Sequence, residues 1–67
     1  MVFTEKLQEE MKNHGYTIEK LAEELGKSRT CVFNKIHNKT EFTASEVNKI
    51  SRVLKLSRSS TRSIFFA

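Results

Sequence analysis

Sixty-seven residues and 7.8 kDa make one small domain, 1–67, which buries only about 60% of the surface its unfolded chain exposes. That excludes a dinucleotide fold, a substrate domain or a separate effector module, and 37% apolar with 30% charged residues is too apolar for a disordered chain. The net charge of +4 divides unevenly: residues 1–25 hold six Glu against Lys6, Lys12 and Lys20, while residues 26–67 hold nine Lys and Arg against Glu41 and Glu46. A basic part of this kind fits a polyanionic partner, nucleic acid before a membrane surface, and equally a solvated face with a mild basic excess.

The apolar spacing predicts helices nearly throughout, hence an all-α chain of four to five helices. Phe3, Leu7 and Met11 recur every fourth residue behind Thr4, read as an N-cap, and Gly15 supplies a left-handed stop. Thr17 caps a second run with Ile18, Leu21, Ala22 and Leu25 on one face, ended by Gly26. Ser28 caps a third run with Val32 and Ile36 as its seam, and Asn38 ends it, because Asn tolerates the left-handed conformation. Residues 39–42 read as a loop with Phe42 pinned to the core. Thr43-Ala44-Ser45-Glu46 has the pattern of a capping box, followed by Val47, Ile50, Val53 and Leu54 as a buried stripe. Ser57 caps a short fifth helix through Ser63 within the tail 57–67. Ile64, Phe65 and Phe66 have no obvious partner in so small a core. A plug over the core and a disordered end are the alternatives to the dimer contact expected of them.

The second and third runs with their connection, TIEKLAEELGKSRTCVFNKI, predict a helix-turn-helix over 17–37. Ala22 is small where the helices cross, Gly26 gives the turn its positive φ, and Leu21, Leu25 and Val32 fill the wedge. Projected at about 100° per residue, the third helix turns Thr30, Asn34 and His37 away from the core, flanked by Cys31 and Phe33, with Arg29 in the first turn. Such a face suits the major groove, where Arg pairs with guanine and Asn with adenine, each through two hydrogen bonds. Phe33 falls between core and groove, filling the space beside Lys35 or touching thymine methyls.

GYTIEKLAEELGKS, and after it KIHNKTEFTASEV, resemble the lambda repressor/Cro-like (XRE-type) helix-turn-helix family from Tyr16 through Leu56, and the short phage-encoded Cro-like members in particular. The resemblance implies a five-helix DNA-binding regulator, a homodimer on a palindromic double-stranded operator. It also places base-reading residues at Arg29, Thr30 and Asn34, and phosphate contacts at Thr17, Ile18, Ser28, His37 and Lys39. Three positions depart from the family's wording. Ile18 stands where Gln is common, Lys27 and Lys35 stand where aliphatic residues are common, and the C-terminal segment lacks the usual Leu pattern. No C-terminal cleavable domain is expected, which points to the Cro-sized class. The alternative is a helix-turn-helix module used for protein binding, antirepressor- or antitoxin-like.

Other motifs carry little. Gly26-Lys27-Ser28 ends like a phosphate-binding loop, but Leu21 occupies the required glycine position. Cys31 with His14 and His37 lacks metal-ligand spacing, and Cys31 has no partner base and no second cysteine. No metal, cofactor, small-molecule substrate or enzymatic activity is expected. With no run of ~18 apolar residues and no signal peptide pattern, neither is a membrane role. The asparagine of the sequon Asn38-Lys39-Thr40 is not expected to be glycosylated in a cytoplasmic, nucleoid-associated chain.

Overall fold

The computed structural model describes residues 2–66. Among the described residues five helices follow one another: α1 (Thr4–Asn13), α2 (Ile18–Leu25), α3 (Arg29–Ile36), α4 (Ala44–Val53) and α5 (Arg58–Phe65). Among the described residues none of them is long and apolar enough to cross a membrane. α2 packs on α3 and α4, and α5 packs on α1 and α4. Leu7, Leu21, Val32, Ile36, Ile50 and Leu54 are wholly buried at the centre.

The first four helices all stop in one way. Gly15, Gly26, Asn38 and Lys55 take φ of +69°, +66°, +64° and +53°. At each stop the following amide reaches back to the carbonyl five residues earlier: Tyr16 to Met11, Lys27 to Ala22, Lys39 to Asn34 and Leu56 to Ser51, at 2.7–3.0 Å. This left-handed closure satisfies carbonyls that a helix end otherwise leaves orphaned. Lys55 is the costly member, because its Cβ crowds the backbone there and its exposed side chain recovers nothing from the core. Lys55→Gly is expected to stabilise the fold by about 1 kcal/mol, raising the urea midpoint with an unchanged slope.

Three sequence expectations are corrected here. Thr4 is the first residue of α1, not its cap. The N-cap is Phe3, with no side-chain cap bond, and the Thr4 hydroxyl donates instead to the Ile36 carbonyl at 2.7 Å. Phe3 is 42% exposed and Val2 takes its place in the core. The Val2 backbone is clamped by the Asn38 amide, whose Oδ1 accepts from the Val2 N–H at 2.8 Å and whose Nδ2 donates to the Val2 carbonyl at 3.0 Å. That clamp, with the Phe3 N–H donating to the Ile64 carbonyl, sets the entry angle of α1 and turns Phe3 outward.

The third correction concerns the tail. α5 runs past Ser63 to Phe65, and Ile64 and Phe65 are 2% and 4% exposed in the chain's own core. Phe65 meets Phe42 edge-on, ring centroids 5.6 Å apart. Neither side chain is therefore free for the dimer contact expected of it. Only Phe66, 70% exposed, stays open.

Candidate nucleic-acid interface

Local chemistry fixes where α2 and α3 begin. The Thr17 hydroxyl accepts from the Lys20 amide and the Ser28 hydroxyl from the Cys31 amide, each at 3.1 Å. Each hydroxyl keeps its own proton to donate, and both residues are exposed. Gly26 turns the chain between them, so two helix N-termini with free amides open to solvent, the setting in which an anion is favoured.

Arg29, the first residue of α3, donates from Nε to Oε1 of Glu19 in the first turn of α2 at 3.1 Å. This bond spans the two helix starts. Both side chains are about two-thirds exposed, so the pair adds little to stability. Its consequence is geometric, because bonding through Nε leaves the terminal pair of guanidinium nitrogens free. The Glu19 carboxyl lies below the ordinary carboxylate range, held there first by a backbone hydrogen bond and then by Arg29.

Along α3, Thr30, Phe33, Asn34 and His37 fall within one face at about 100° per residue. Thr30, Phe33 and His37 are exposed and Asn34 is half-buried. Phe33 is 38% exposed and stands outside the core, which corrects its reading as a filler beside Lys35. It packs instead on His37, one turn on, with ring centroids 4.3 Å apart. Lys39 follows the left-handed Asn38 and is exposed beyond the C-terminal end of α3. Ile18 is half-buried against the core and offers no polar side chain. Cys31 is half-buried and free.

The opposite side of α3 holds what sequence reasoning missed. Lys35 reaches Glu46 with its Nζ 2.7 Å from both carboxylate oxygens, and the two side chains are only 12% and 7% exposed. Glu46 Oε1 also accepts from the Thr43 amide at 2.8 Å, while the Thr43 hydroxyl accepts from the Glu46 amide at 3.2 Å, completing the capping box. Burial raises the Glu46 pKa, but the Lys35 ammonium and the Thr43 donors lower it more, leaving it below its ordinary value. One carboxylate thus caps α4 and ties α3 to it. The available signal was a lysine at an aliphatic position ahead of a capping-box glutamate.

The chain matches the family model described as Helix-turn-helix (HTH_3) over residues 7–59. No curated protein and no solved structure matches it.

Proposed function

The chain belongs to the HTH_3 helix-turn-helix family of DNA-binding regulators, and on that premise we propose that it is a Cro-like phage or prophage repressor acting by occupying a palindromic double-stranded operator. The observation that carries this reading is the outer face of α3, where Arg29, Thr30, Phe33, Asn34 and His37 stand together with no part in the core. Arg29 reads guanine through its free nitrogens, and Thr30 and Asn34 read neighbouring bases. Thr17 and Ser28 hold phosphates with hydroxyls and helix-start amides, and His37 and Lys39 hold them from the far end of α3. Repression follows from blocking a promoter and requires no chemistry.

The proposed unit is a homodimer, because two half-sites one helical turn apart are matched by two copies of α3. Phe66 is the tail residue open for the contact, beside a groove lined by Leu56, Arg58 and Arg62. A Phe66→Ser chain is expected to sediment as a monomer at concentrations where the parent is dimeric, and to bind a single half-site.

Lys39 provides the test of the phosphate assignment. Lys39→Ala is expected to weaken every duplex alike and to make the plot of log affinity against log salt shallower by about one unit. A loss confined to one sequence would contradict that role. A second reading, docking of a partner protein, is favoured by the 70% exposure of Phe66. It predicts regulation abolished by Phe66→Ser and untouched by Arg29→Ala.

A further inference from the structure

Among the described residues, three large apolar side chains stand exposed: Phe3, Phe33 and Phe66. Phe3 lies under the Lys6 ammonium, 5.1 Å from its centroid, and Phe66 follows the last turn of α5. Phe33 differs from both, because it stands on the polar outer face of the helix proposed to enter the groove. Resting on the proposed DNA-binding reading, we infer that the Phe33 ring, braced by His37, is a thymine-reading element that recognises the 5-methyl group in the major groove.

The chemistry selects that group. Of the four base edges in the major groove, three present only hydrogen-bond donors and acceptors, and thymine alone adds a methyl. A phenyl ring offers those polar atoms nothing and strips them of water, so it discriminates against the other bases as well as favouring thymine. The packing with His37, 4.3 Å between centroids one helical turn apart, restricts the ring before any DNA arrives. Less rotamer freedom is then lost on binding. Asn34, the next residue on the same face, has the donor and acceptor that fit adenine, so the central part of α3 favours an A·T-containing step.

The test uses the intact protein and the duplex it selects from a random library, with each thymine replaced in turn by deoxyuridine, which removes only the methyl. The parent chain is expected to lose about fourfold in affinity at one thymine per half-site, the worth of about one buried CH2 group. Phe33→Ala is expected to bind the thymine and uracil duplexes equally while still preferring the operator over random DNA. Phe33→Leu, which keeps an apolar tip, is expected to retain part of the difference. A parent that selects an operator but is indifferent to uracil at every position overturns the inference alone. So does an equal uracil penalty in Phe33→Ala. A parent that selects no sequence overturns the proposed function and this inference with it.

Discussion

Lys35→Met is expected to cost the fold about 3–5 kcal/mol, the penalty for leaving a buried charge without its partner. A domain this small holds only about 5 kcal/mol or little more in total, so the variant is expected to be partly unfolded in water at 25 °C. The cause is Glu46, whose carboxylate is 7% exposed and receives Lys35 on both oxygens. The double variant Lys35→Met, Glu46→Gln removes the stranded charge and keeps an oxygen for the Thr43 amide. It is expected to recover to within about 1 kcal/mol of the parent, since well-packed replacements of buried ion pairs are often neutral. Urea titrations of the parent and the two variants decide this. A single variant as stable as the parent would show the pair to be incidental.

The same carboxylate sets an acid limit. Its pKa in the folded chain lies below 4.5, the ordinary value for a glutamate, so near and below that pH the unfolded chain binds more protons than the folded one. The contribution is fully present above the unfolded pKa and is lost as pH falls through the folded value. Stability of the parent is expected to decline with acidification from about pH 4.5 downward, and Glu46→Gln is expected to flatten that limb.

Arg29→Ala is expected to weaken operator binding by about 1–3 kcal/mol and to relax preference at one base pair per half-site. Arg29→Lys is not expected to restore it, because an ammonium cannot reproduce the planar two-point contact. Glu19 separates positioning from simple charge. Glu19→Gln removes a negative charge beside the helix starts and so is expected to raise affinity for random DNA, while freeing Arg29 lowers discrimination at its base pair. Competition binding with single-base operator variants measures both. Discrimination unchanged in Arg29→Ala would remove this residue from the base-reading set.

The features legible in the sequence are those whose physics is local. Thr17, Ser28 and the Thr43–Glu46 box each bond an amide three residues away, and Gly26 and Asn38 are residue types that tolerate positive φ. The face of α3 was legible because a regular helix fixes which side chains share a side. What escaped depends on residues far apart in the chain. The outward turn of Phe3 follows from a clamp between Val2 and Asn38, and the burial of Ile64 and Phe65 follows from α5 lying against α1 and α4. Lys55 escaped for another reason, since nothing in a lysine announces a left-handed backbone. Glu46 was read as a cap alone because its second partner lies in another helix. Glu19 was passed over because its bond to Arg29 crosses the turn.

The central claim is that this α3 face reads DNA sequence as one half of a two-fold pair. Selection from a random double-stranded library, sequenced at two salt concentrations, tests it most directly. The account predicts a palindromic consensus with half-sites about one helical turn apart, retained at the higher salt while background binding falls away. Salt-sensitive binding with no consensus at either concentration would contradict it.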